Sequence, residues 1–261
     1  MNYETLLLKK EAGIATITLN RPDKMNSLSP KMVHEIPQAL EDVGQDKSVR
    51  CVVLTGAGKA FSAGADLDSP IFTMTNPADI KEFFGPVTRT VMAIRNMPKA
   101  VIASINGPAV GGSMNMVLSC DIIIASEAAR FGEVFVNIGL QPDYGGTYLL
   151  PRLIGMGKAM ELILTGRVFD AREAERLGLV SQVVAPDKLE ATTQQLARKL
   201  ADAPPLAVAA AKTSVYQGLT MSLSTALEAE CRAQSMLFLT EDMKEGIKAF
   251  LEKRKPQFKG R

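Results

Sequence analysis

The 261-residue chain has no tryptophan, a single histidine, three cysteines and only 5% aromatic residues. Each scarcity removes a chemistry. A Ser-His-Asp triad needs an imidazole to take the serine proton. The one histidine, His34, lies in Pro30-Lys-Met-Val-His-Glu-Ile, the early turns of an expected helix, where an exposed position with no catalytic task is the simpler reading. Zinc sites built on clustered His and Cys lack their ligands, and no metal is expected. Cys51, Cys120 and Cys231 are odd in number, far apart and set in apolar contexts. They read as reduced, buried thiols of a cytoplasmic protein rather than a disulfide framework. No apolar run approaches the ~18 residues that span a bilayer. The opening Met1-Asn-Tyr-Glu-Thr lacks the basic and apolar regions of a signal peptide. The net charge is only +2, and dense positive charge is confined to Lys253-Arg254-Lys255, so neither nucleic acid nor an anionic membrane is an expected partner.

What is present is an ordinary globular composition, 46% hydrophobic and 22% charged, in a chain long enough for one large domain with a small helical appendage. Ile14-Ala-Thr-Ile-Thr-Leu19 alternates like a strand and closes in Asn20-Arg-Pro-Asp23. Ser29 is placed to N-cap a helix that has Pro30 at its first position, runs through Glu41 and would bend at Pro37. Apolar strands are expected at 49–54, 100–105 and 121–125, with a short one over 130–136, and a long helix over 79–97. Continuous Val/Ile strands separated by helices point to a parallel sheet buried on both faces. After Gly146 the pattern turns helical: 147–154, 157–165 and 171–177, then a short strand at 179–184 and helices over 186–203, 206–218, 222–238 and 241–253. We expect residues 1–200 to form the core and 201–261 a helical region for oligomer contacts.

Two turns carry the chemistry. Asn106-Gly-Pro-Ala-Val-Gly-Gly112 follows a buried strand and opens an apolar helical stretch, leaving backbone N–H groups free to face an anion. About thirty residues on, Pro142-Asp143-Tyr-Gly-Gly146 delivers one carboxylate. A third, Thr55-Gly-Ala-Gly58, has neither the spacing of a dinucleotide fingerprint nor the Lys-Ser/Thr of a phosphate loop.

Taken together, Phe61-Ser-Ala-Gly-Ala-Asp66, Ser104-Ile-Asn-Gly-Pro-Ala-Val-Gly-Gly112 and Ile138-Gly-Leu-Gln-Pro-Asp-Tyr-Gly-Gly146 resemble the enoyl-CoA hydratase/isomerase (crotonase) superfamily in order and spacing. Leu164-Thr-Gly-Arg-Val-Phe-Asp-Ala171, Gly178-Leu-Val180 and Phe250-Leu-Glu-Lys-Arg-Lys-Pro-Gln-Phe258 extend the resemblance over nearly the whole chain. It implies an α/β fold, a superhelix of stacked ββα turns with a C-terminal helical trimerisation region, assembled as a homotrimer or a dimer of trimers. It also implies an acyl-CoA thioester substrate, with coenzyme A entering as part of that substrate and no separate cofactor. In the family two backbone amides polarise the thioester oxygen; the motif places them at Ala65 and Gly112. Prearranged donors of this kind favour an enolate by several kcal/mol. Lys24, Met25, Asn26 and Ala63 resemble segments that line the CoA pocket mostly through main-chain atoms, and Asp66, Leu67, Gly111 and Phe135 complete the expected substrate-binding set.

The acid–base residues depart from the family's hydratases, which carry two glutamates where this chain has Asn115 and Phe135. Phe135 can neither hold nor move a proton, and Asn115 can only orient one. Asp143 remains, at a position where isomerases of the family place a proton-moving aspartate. A turn aspartate more often caps the following helix; here the matched amides favour catalysis, with an apolar lining raising its pKa. Glu133 is the rival base, on the face of Phe135 if the segment is a strand. The expected activity is an acyl-CoA double-bond isomerase. A hydratase is the alternative, and a non-catalytic CoA- or RNA-binding family member is the alternative from another class. Pro70, Ile71, Phe72, Met74, Phe83 and Phe84 are expected to line an apolar acyl pocket.

Overall fold

The fold begins with a hairpin: β1 (Leu6–Glu11) and β2 (Ile14–Leu19) pair antiparallel across Ala12-Gly13, both at positive φ. The computed structural model describes residues 3–261; Met1 and Asn2, the start of the stretch read above as lacking leader character, lie outside the described residues. From β2 onward every neighbour in the main sheet is parallel, because a helix carries each crossover. α1 (Pro30–Gln45) leads to β3 (Cys51–Gly56), and α2 (Pro77–Phe83) and α3 (Gly85–Asn96) lead to β4 (Ala100–Ile105). β5 (Ala109–Val110) and α4 (Gly112–Leu118) precede β6 (Ile122–Ser126) and β7 (Arg130–Gly132). Then come α5 (Gly146–Ile154), α6 (Met156–Thr165), β8 (Val168–Asp170), α7 (Ala171–Arg176), β9 (Gln182–Val184) and α8 (Leu189–Ala201). The main sheet runs β1-β2-β3-β4-β6-β9, and a small second sheet runs β5-β7-β8.

The sheet is covered on both sides, as its strand composition requires. Ala15, Ile17, Val52, Leu54, Val101 and Ile105 face the main core with α1, α3 and α4, while Cys51, Val53, Ile102 and Ile124 face α8. Ser29 caps α1 by accepting from the Met32 amide, and the helix passes Pro37 to end at Gln45, four residues beyond the expected stop.

The sequence-based expectations fail at three places. The helix over 79–97 is two helices, broken at Phe84-Gly85 where Pro86 has no N–H to continue α2. The strand over 130–136 stops at Gly132 because its partner β5 is two residues long; a 3₁₀ turn, Val134–Ile138, follows. Glu133 and Phe135 therefore do not share a strand face. Cys231 is exposed on a surface helix, while Cys51 and Cys120 are buried.

α9 (Pro205–Gly218), α10 (Leu223–Leu237) and α11 (Glu241–Leu251) close the chain. A buried ion pair ties α9 to the core. Lys212 Nζ donates to Asp121 Oδ2 at 2.8 Å and to the carbonyls of Ile94 and Lys99 at 2.7 and 3.0 Å. Tyr216 donates its hydroxyl to the same carboxylate, and the Arg95 guanidinium lies over the Tyr216 ring. Outward, Leu223, Phe238, Leu239, Phe250 and Leu251 are largely exposed on or beside α10 and α11. Among the described residues no helix is long and apolar enough to cross a membrane.

Candidate active site

Two loops from adjacent strands meet to form the site. The segment after β3 runs alongside β5: the Ser62 amide donates to the Pro108 carbonyl at 2.9 Å and the Val110 amide to the Ser62 carbonyl at 3.3 Å. Ser113, wholly buried, donates its hydroxyl toward both the Ser62 and Val110 carbonyls, at 2.9 and 2.8 Å, and so pins the start of α4 to the first loop. Gly64 lies at the crossing with φ +85°; a Cβ there would stand 2.8 Å from the Val110 carbonyl oxygen, so only glycine lets the backbones approach. Ala65 and Gly112 both line the wall of one cavity. Neither amide donates to any acceptor among the described residues, which leaves both available to a ligand oxygen.

That cavity has a volume of about 470 Å³ and a largely apolar wall. Its lining includes Ile80, Phe83, Phe84 and Val87, spaced i, i+3, i+4, i+7 across α2 and α3; Leu28 and Val33, just before and just inside the start of α1; and Phe135, Ile138 and Leu140. Two carboxylates reach the wall. Asp66 accepts from Arg21 at 2.8 Å, and that guanidinium holds its carboxyl below the ordinary range. Asp143 has no cation beside it. A Cβ built on Gly112 would lie 3.1 Å from Asp143 Oδ1 and from the Tyr144 ring, so the carboxyl sits against the residue that offers the second free amide. Burial pushes Asp143 up to about 7. Gly145 occupies the N-cap position of α5, and Asp143 does not cap that helix.

Behind the wall lies a second carboxyl. Glu133 is fully buried, and Asn115 Nδ2 bridges it to the aspartate's loop, donating to Glu133 Oε2 at 3.2 Å and to the Asp143 carbonyl at 3.0 Å. Burial, reinforced by the charge of Asp143, raises Glu133 to about 7.

The expected site residues thus divide. Ala63, Ala65, Asp66, Leu67, Gly111, Gly112, Phe135 and Asp143 line the cavity. Asn115 does not; it is fully buried with its amide committed to Glu133 and Asp143. Asn26 is also internal rather than substrate-facing: Nδ2 donates to the Ala57 and Ala60 carbonyls and Oδ1 accepts from the Arg21 amide, each at 2.8 Å. It fixes a turn in which Met25 and Asn26 both take left-handed φ. The Met25 side chain is half exposed, its carbonyl accepts from the Ala63 amide, and Lys24 pairs with Asp68 at 3.3 Å, all outside the cavity lining. Pro70 and Met74 likewise stay off the wall, while Ile71 and Phe72 are on it. Val87 falls in the stretch 68–90 expected to line the acyl pocket, whereas the sequence reading missed Leu28, Val33, Val134, Asn137, Ile138, Leu140 and Tyr144. Nothing local marks Val33. Tyr144 takes φ +46°, rare for an aromatic residue, and no sequence pattern announces that. No cluster of His, Cys, Asp and Glu suited to a metal occurs among the described residues.

The chain matches the family model described as enoyl-CoA hydratase/isomerase over residues 9–261. It is 39% identical to the 1,2-epoxyphenylacetyl-CoA isomerase of Escherichia coli, covering 99% of both chains. It is also 39% identical to the short-chain-enoyl-CoA hydratase of Clostridium acetobutylicum, covering all of both. Among solved structures, an enoyl-CoA hydratase from Bacillus anthracis superposes with a TM-score of 0.94 at 37% identity, covering 99% of this chain and 100% of that one. These matches bear out the α/β crotonase fold with helices at the C-terminus.

Proposed function

The chain belongs to the enoyl-CoA hydratase/isomerase family, which acts on acyl-CoA thioesters, and on that footing we propose that it shifts a carbon–carbon double bond by a 1,3-proton transfer through a thioester enolate. The Ala65 and Gly112 amides donate to the thioester oxygen. As the α-carbon loses its proton, negative charge grows on that oxygen, and fixed donors stabilise it without reorganising. Asp143 takes the α-proton, and the electron pair spreads into the adjacent double bond as a dienolate. The protonated carboxyl returns the proton at the γ-carbon, leaving the double bond conjugated with the thioester and Asp143 ionised again. A carboxyl with a pKa near 7 suits both halves of the transfer.

One observation carries this reading: of the two carboxylates on the cavity wall, Asp66 is spent on Arg21 and Asp143 is free beside Gly112. Purified protein given a 3-enoyl-CoA is expected to generate the ultraviolet absorbance of the conjugated 2-enoyl thioester, and Asp143→Asn to abolish it. Undiminished turnover in that variant would sink the assignment. The apolar wall suits an apolar acyl group, and the exposed apolar side chains of α10 and α11 suit assembly as a homotrimer or a dimer of trimers.

The second reading is a hydratase, favoured by names carried among the relatives. Water addition needs groups that hold the water, take its proton and protonate carbon. Phe135 has no such group, and Asn115 is turned away from the cavity. Rapid loss of crotonyl-CoA absorbance with a 3-hydroxyacyl product would establish this reading over ours.

A further inference from the structure

Five buried side-chain polar atoms lack a hydrogen-bond partner among the described residues, and four of them lie together: Asn115 Oδ1, Glu133 Oε1, Asp143 Oδ1 and the Tyr144 hydroxyl. Only Asn106 Oδ1 lies elsewhere. Unpaired buried polar groups destabilise a fold, so such a concentration marks a place organised for something other than stability. The four belong to one connected unit, in which a single carboxamide holds Glu133 on one side and the main chain of Asp143 on the other.

The two carboxyls are not equivalent. Asp143 is partly exposed on the cavity wall, whereas Glu133 is fully buried and absent from it. No cation faces Glu133. From β7, Arg130 turns to the Glu127 and Ala129 carbonyls; just before β8, Arg167 is engaged by Glu161 and Glu173. From α4 it meets the neutral Asn115, and from the loop before α5 the negative Asp143, whose neighbour Tyr144 is kept protonated by burial. An enclosed carboxyl with an anion nearby and no cation keeps its proton longer than one that touches solvent.

We propose that Glu133, acting through Asn115, is a positioning residue for Asp143: an uncharged carboxylic acid that anchors the carboxamide, fixes the aspartate's loop, and leaves the pair's single negative charge on Asp143. The carboxyl that cannot reach substrate thereby keeps the reachable one ionised. Above neutral pH the pair loses its second proton, and a second negative charge behind the wall opposes the enolate. Wild-type kcat/KM for a 3-enoyl-CoA therefore rises as Asp143 ionises and falls again as Glu133 ionises.

This inference rests on the isomerase reading, and the same assay separates the two. Wild type, Asp143→Asn, Glu133→Gln, Glu133→Ala and Asn115→Ala are compared from pH 5 to 10, with thermal melts to establish folding and infrared spectra to detect a protonated carboxyl. Gln reproduces the uncharged acid, so Glu133→Gln should keep kcat within about threefold of wild type but lose the alkaline fall. It should also lack a protonated-carboxyl band that wild type shows near pH 7. Glu133→Ala and Asn115→Ala release the loop and should lower kcat at least about tenfold with KM little changed, as displacement of a reacting group does. Loss of turnover in Glu133→Gln equal to that in Asp143→Asn would make Glu133 the proton carrier and overturn the proposal. An alkaline limb unchanged in Glu133→Gln would overturn it too, as would full activity in Glu133→Ala. Turnover retained by Asp143→Asn would overturn the proposal by removing Asp143 as proton carrier, whereas absence of 3-enoyl-CoA turnover in wild type refutes the isomerase reading, and the infrared band then still reports whether Glu133 holds its proton.

Discussion

Replacing Gly146 by alanine tests how rigid this arrangement is. A Cβ at Gly146 would stand 2.2 Å from Asn115 Nδ2, and 2.4 Å from both Cγ and Oδ1, so the whole carboxamide must move. Asn115 is fully buried, so its displacement must be absorbed by the surrounding core. Moving it strains the packing by roughly 1–3 kcal/mol. It also breaks the two hydrogen bonds from Nδ2, worth about 1 kcal/mol each and more where an acceptor is left buried. Alanine in the first turn of α5 returns at most about 1 kcal/mol of helix propensity. The net destabilisation is then about 2–5 kcal/mol, a fall in melting temperature of roughly 4–20 °C for a chain of this size. Thermal and urea denaturation measure it. The Asn115→Ala background supplies the control: with the carboxamide gone, Gly146→Ala should add under about 1 kcal/mol, a strong coupling in the double-mutant cycle. A single variant melting within about 2 °C of wild type, or a cycle in which the two effects simply add, would refute the steric argument.

The two raised carboxyls also set a pH dependence of stability. Folded Asp143 and Glu133 titrate near 7 while the unfolded groups titrate near about 4, so between those values the native state binds more protons and stability falls as pH rises. Glu133→Gln should therefore gain melting temperature over wild type at pH 8 and lose that advantage by pH 4; equal melting curves at pH 8 would contradict it. Lys212→Met leaves Asp121 buried without its cation and should destabilise by about 3–5 kcal/mol, read by urea denaturation. Val87→Phe places a ring inside the cavity and should lower kcat/KM for long apolar acyl groups roughly 10–100-fold while sparing crotonyl-length ones, measured as a chain-length profile.

Much of this was legible because the signals were local. The Val/Ile runs announced buried parallel strands, Ser29 and Pro30 announced the start of α1, and the glycine-rich turns announced the free amides. Misreadings arose where a distant element decided the outcome. β7 ends at Gly132 because β5 is short, and that ending turns Glu133 inward. Nothing local marks Asn26 as the anchor of its turn, yet its side chain is taken up by carbonyls more than thirty residues away. Lys212 is one lysine among many in the sequence; only the packing of α9 on β4 and the Asp121 loop gives it a task.

The crossing of the two loops at Gly64 bears on how this protein can be dissected. The groups assigned to the enolate are peptide N–H bonds of an alanine and a glycine, which no side-chain truncation removes. An alanine scan would leave Ala65 untouched and at Gly112 would press a methyl against Asp143 and Tyr144, so the contribution of the two amides would not be read by itself. Replacing the peptide N–H itself, by an ester linkage at either position, is the perturbation to which it is exposed.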